Sequence, residues 1–100
     1  MSARIAIDRE EIAGFCRRHG VRKLAFFGSV LREDFRPDSD VDVLVEFEPG
    51  QRVGFIKLAG LEIELSRIVG RQVDMRTPGD LSRYFRQQVL DEAEVQFLAS

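Results

Sequence analysis

Strand-like and helix-like segments alternate along this chain, which predicts a mixed α/β domain of the α+β kind: a small mixed sheet of about three to four strands with helices packed against it. Three observations carry that prediction. Residues 21–27 and 40–47 are rich in Val, Leu and Phe, and the second run alternates apolar and polar positions with the period of two that a strand requires. Residues 53–69 repeat apolar side chains at the spacing of one helix face. Gly20, Pro49-Gly50 and Gly70 punctuate the boundaries between them.

One hundred residues suffice for a single domain spanning 1–100 and one hydrophobic core. The 44% apolar and 32% charged content is that of a globular chain, not a disordered one. A net charge of −2 offers no basis for nonspecific nucleic-acid binding, which needs clustered Lys and Arg to displace counterions, so nucleic acid is not expected as a direct partner. A local basic patch of Arg32, Arg36 and Arg76 stays open. The lone Cys16 has no second thiol for a disulfide or a zinc site, which fits a reducing compartment. The first residues lack the apolar core of a signal peptide, and no apolar run approaches a membrane span. A cytoplasmic protein is expected.

Taken in order, Asp8 and Glu11 form a D-x-x-E variant of the capping box, opening a helix that runs through His19 to Gly20. Ile12, Phe15 and Cys16 mark its buried face, with Arg17 and Arg18 outside; Cys16 reads as packing and His19 as a solvated end. Two strands follow, 21–27 and 40–47, separated by a polar loop. The helix over 53–69 places Phe55, Leu58, Leu61, Leu65, Ile68 and Val69 on its apolar stripe and Lys57, Glu64 and Arg67 opposite. Glu62 falls beside that stripe without an explanation in the sequence. Residues 72–76 form a third strand, with Val73 and Met75 toward the core. Thr77, Pro78 and Asp80 then start another helix carrying Leu81, Tyr84, Phe85, Val89 and Leu90, and apolar positions continue at Val95, Phe97 and Leu98. Arg83 and Arg86 read as a solvated face. Exposure of Tyr84, Phe97 or Leu98 would instead mark a partner surface.

The chemistry concentrates between residues 25 and 47. Gly28 permits a tight turn after the first strand, and a helix starting near Val30 would turn unpaired N–H groups of the Gly28-Ser29 turn toward an anionic oxygen such as a phosphate. Asp40 and Asp42 alternate with Val41 and Val43, so both carboxylates point to one face with Cα atoms about 6.5 to 7 Å apart. Two like charges so placed repel, and a hard divalent cation relieves the repulsion. Each feature also has an ordinary use: Gly-Ser in any turn, Asp38, Ser39 and Asp40 in any loop, Arg36 in solvent. An acid within a Val-rich strand is harder to explain that way, and Asp42 is such an acid. Asp74 joins the pair if the third strand lies beside the second; otherwise it is a surface acid.

Gly28-Ser29, ten intervening residues, and Asp40-x-Asp42 resemble the GS-x10-DxD pattern of the polymerase-beta-like nucleotidyltransferase superfamily. Phe27, Arg32, Pro37, Asp38, Ser39 and Val45 make the stretch similar to the minimal nucleotidyltransferases (MNT) in particular. The resemblance implies the polymerase-beta-like fold and transfer of AMP from ATP. Mg²⁺, as two ions, would be held by Asp40, Asp42 and Asp74, with Asp74 also helping to deprotonate an acceptor hydroxyl. Gly28, Ser29, Arg32 and Ser39 would bind the nucleotide. MNT proteins are commonly antitoxins of HEPN-type toxins, and some attach AMP to a tyrosine of the toxin, so a HEPN partner is implied. Two positions depart from the family pattern: Leu31 stands where a small residue is usual and Glu33 where Gly is, which would alter how the loop closes on a triphosphate. Two other functions stay open: a noncatalytic module that occludes its partner, and nucleotidyl transfer to a small molecule.

Overall fold

The computed structural model describes residues 8–31, 36 and 39–99. Helix α1 (Arg9–His19) opens at Asp8, whose carboxylate accepts hydrogen bonds from the Glu10 and Glu11 amides, both at 3.1 Å, satisfying donors that the first turn leaves unpaired. Gly20 closes the helix in the left-handed region, at a φ of 68°. Strand β1 (Val21–Phe27) and strand β2 (Val41–Phe47) pair antiparallel, as a hairpin whose connection carries the Gly28-Ser29 turn. Helix α2 (Phe55–Val69) then crosses over to strand β3 (Val73–Arg76), which lies parallel to β2. A short helix α3 (Arg86–Glu92) leads into strand β4 (Glu94–Leu98), antiparallel to β1. The sheet order is β3-β2-β1-β4.

One face of this sheet supports the core. Leu24 and Phe26 of β1, Val41, Val43 and Val45 of β2, and Val73 and Met75 of β3 pack under Ile12, Phe15 and Cys16 of α1 and Leu61 and Leu65 of α2. Burial within this cluster pushes the Cys16 thiol up to about 12, so it is a packing group with no thiolate at neutral pH. The two helices are joined by Glu64 of α2, which accepts from Arg18 at 2.6 Å and lies 3.0 Å from Nε2 of His19. His19 is therefore a partner of Glu64, where the sequence left it to solvent. The Arg18 hydrogen bond, with His19 adding to it, holds the Glu64 carboxyl below its ordinary pKa.

Glu62 finds its explanation at the sheet edge. Its carboxylate accepts from the Met75 amide at 2.7 Å, and the Ser66 hydroxyl one turn later accepts from the Val73 amide at 3.0 Å. Those N–H groups point away from β2, and α2 supplies the acceptors that a further strand would have given.

Further sequence expectations change in the second half of the chain. The apolar stripe of α2 does not include Phe55, the first residue of the helix, which is 90% exposed. The segment after Thr77 is a 3-10 turn (Pro78–Asp80), fastened by the Asp80 carboxylate accepting from the Thr77 amide at 3.1 Å, and α3 begins only at Arg86. Tyr84 is consequently exposed between them. Arg86 donates to the Leu81 carbonyl at 2.9 Å and is half-buried, not part of a solvated face. Residues 94–98 form the fourth strand: Phe97 packs on the core and Leu98 is largely exposed. Among the described residues no helix is long and apolar enough to cross a membrane.

Candidate functional site

The face of the sheet opposite the helices carries the site. Strand alternation puts Asp42 and Asp74 there, because their neighbours Val41, Val43, Val73 and Met75 are buried on the helix side. Phe27 pairs with Asp42 across β1 and β2, and Asp42 pairs with Asp74 across β2 and β3. The three residues form a row across the sheet. The adjacency of the third strand to the second, on which Asp74 depended, is thus present. Asp40 is exposed, one residue before β2 starts.

Gly28 sits at the end of β1 with a φ of 72°, beginning a 3-10 turn (Gly28–Leu31) in place of the helix expected from Val30. A Cβ built on Gly28 would overlap Oδ2 of Asp42. Glycine suits this position by its backbone conformation, and a Cβ there would make the Asp42 carboxylate turn aside. Val30 and Leu31 are buried in the core cluster and anchor the turn from below. The bulk of Leu31, unusual for the family pattern, is taken up by that packing. Ser29 is the second residue of the turn. Arg32, Glu33, Pro37 and Asp38 lie outside the described residues.

Ser39 closes a tight turn with Arg36: its hydroxyl accepts from the Arg36 amide at 3.1 Å and its own amide donates to the Arg36 carbonyl at 3.0 Å. That carbonyl also accepts from Arg71 at 3.3 Å, tying the loop to the start of β3. Ser39 therefore shapes the approach to Asp40. Arg36 is exposed.

The sequence reading missed how Asp74 is held. Arg76, two residues on and on the same face, lies 3.1 Å from its Oδ2. The i, i+2 spacing in a strand was the signal for that pair. Among the described residues no three acidic, His or Cys side chains gather closely enough to hold a metal ion. The donor set nonetheless suits a hard divalent cation: carboxylate oxygens on adjacent strands, one of them seated in the space that Gly28 leaves.

The sequence and the fold both have counterparts among known proteins. Residues 9–95 match the nucleotidyltransferase domain family. The chain belongs to that family. It is 37% identical over 75 residues to protein adenylyltransferase MntA of Thermococcus cleftensis, covering 75% of this chain and 74% of that protein. Among solved structures, a candidate minimal nucleotidyltransferase superposes with a TM-score of 0.69 at 40% identity, with 85% of each chain covered. A chain of the complex between tri-AMPylated Shewanella oneidensis HEPN toxin and MNT antitoxin superposes with a TM-score of 0.66 over 91% of this chain and 70% of that one; at 19% identity it shares the nucleotidyltransferase fold.

Proposed function

We propose that this nucleotidyltransferase is a Mg²⁺-dependent protein adenylyltransferase of the cytoplasm, transferring AMP from ATP to a hydroxyl of a HEPN-type toxin and so acting as its antitoxin. The observation that carries this reading is the row Asp42–Asp74, neighbours in register on adjacent strands, beside the Gly28 turn. The protein acceptor is suggested by the adenylyltransferase MntA relative, and the toxin by the HEPN complex of the same fold.

In the reaction the acceptor oxygen forms a bond to the α-phosphorus of ATP, the bond from that phosphorus to its bridging oxygen breaks, and pyrophosphate leaves. Asp40, Asp42 and Asp74 would hold Mg²⁺, which supplies charge neutralisation for the triphosphate. Asp74 accepts the proton of the attacking hydroxyl. The amides of Gly28 and Ser29 orient phosphate oxygens, with Arg32 and Ser39 as further nucleotide contacts.

The noncatalytic reading has one observation in its favour, the engagement of Asp74 by Arg76. Label transfer from α-³²P-ATP separates the two. With the co-purified partner and Mg²⁺, the native chain is expected to label the partner, and Asp42→Asn to label it at under about one-hundredth of that rate. Full labelling by the variant removes Asp42 from the mechanism. Unlabelled partner that stays bound to both proteins favours occlusion.

A further inference from the structure

We infer that Arg76 is a resident counter-cation for Asp74, neutralising it until a metal–nucleotide complex arrives and then exchanging the carboxylate for triphosphate oxygens. The inference rests on the assignment of the acidic row to metal and nucleotide. Asp42 and Asp74 are neighbours in register, so two carboxylates share one stretch of surface and repel. The guanidinium of Arg76 meets one of them at 3.1 Å. The basic side chains at the far end of β1, Arg22 and Lys23, are committed to Glu46.

The pair is built to exchange. Arg76 and Asp74 are 47% and 38% exposed, and ion pairs so exposed hold weakly. The guanidinium is charged at any working pH and its planar fork matches a phosphate as well as a carboxylate. A bare divalent cation must displace Arg76 and leave it beside the new positive charge. A metal–triphosphate complex instead offers both partners at once, a cation for Asp74 and anionic oxygens for Arg76. Loading as a complex is thereby favoured over loading of the ion first.

Mn²⁺ binding, followed by loss of the free-ion EPR signal, tests this without turnover. For the chain alone, Arg76→Gln is expected to bind Mn²⁺ about two- to fivefold more tightly than the native protein, the range set by losing a weak competing ion pair. With α,β-methylene-ATP added, the order reverses: the native protein gains affinity for Mn²⁺ and Arg76→Gln gains less. Arg76→Lys, which keeps the charge, is expected to stay near the native protein in the absence of nucleotide. Mn²⁺ affinity unchanged by Arg76→Gln, in samples with matching thermal melts, overturns the inference. Asp42→Asn serves as the reference for the site: if it abolishes binding the acidic row is the metal site, whereas binding that survives it, or no binding in any sample, overturns the site assignment and this inference with it.

Discussion

Gly28 shows how much a single missing atom decides. Its left-handed conformation costs a residue with a Cβ about 1–2 kcal/mol, and the Cβ would also enter the space of the Asp42 carboxylate. Gly28→Ala is therefore expected to lower stability by about 1–2 kcal/mol in chemical denaturation while reducing adenylyl transfer more than tenfold, because the carboxylate must move. Activity falling only in proportion to the unfolded fraction would confine Gly28 to folding. Cys16 makes the opposite point. With its thiol pushed up to about 12 and its side chain wholly buried, it is expected to resist a thiol reagent at pH 7.5 in the folded protein and to react promptly in denaturant. At this scale the sequence was informative about residue type and face: the period of two placed Asp42 and Asp74 away from Val43 and Met75. It could not show that Asp74 is held by Arg76, since an acid and an arginine two apart pair only if nothing else claims either.

Among the elements, α2 does the most to define the site without touching it. Glu62 and Ser66 hold the outer edge of β3, and β3 carries Asp74. Replacing Glu62 by Ala leaves the Met75 amide without its acceptor, at an expected cost of about 1–3 kcal/mol, whereas Glu62→Gln keeps an acceptor oxygen and recovers most of it. Urea denaturation of the two variants measures the difference; equal stabilities would mean that the bond adds nothing. The same helix separates buried from exposed apolar positions. Leu65→Ala should cost about 2–5 kcal/mol, and Phe55→Ser should remain within about 0.5 kcal/mol of the native chain. Helical periodicity treats Phe55 and Leu65 alike, because it gives the face and not which turns of the helix are covered. Glu62 was opaque for a related reason: its partner amide is 13 residues away, on an element whose distance from α2 only the fold fixes. The strand β4 was hidden by its context, since Val95 and Phe97 alternate over too few residues to stand out from the helical pattern before them.

For the molecule as a whole, two clamps join helices to each other and to the sheet, and one of them responds to pH. Glu64 connects α2 to Arg18 and His19 of α1, and its carboxyl is held below the ordinary range chiefly by the Arg18 hydrogen bond. A carboxyl depressed in the folded state contributes its full stabilisation above its unfolded pKa and loses it as the pH falls through the folded value. Thermal melts between pH 7 and 3 are therefore expected to show an acid-side loss that Glu64→Gln reduces, by no more than about 1 kcal/mol for so exposed a pair. An identical pH profile in the variant would leave the acid loss to other carboxylates.

The alternation in β2 and β3 also acts as a form of proofreading. If either strand slipped by one residue against its neighbours, Asp42 or Asp74 would be driven under the helices and a valine or methionine turned out to water. Such a chain would lose its core together with its acidic row. The population that folds is thus the population that presents the carboxylates, and a stable but misaligned form has no packing to sustain it.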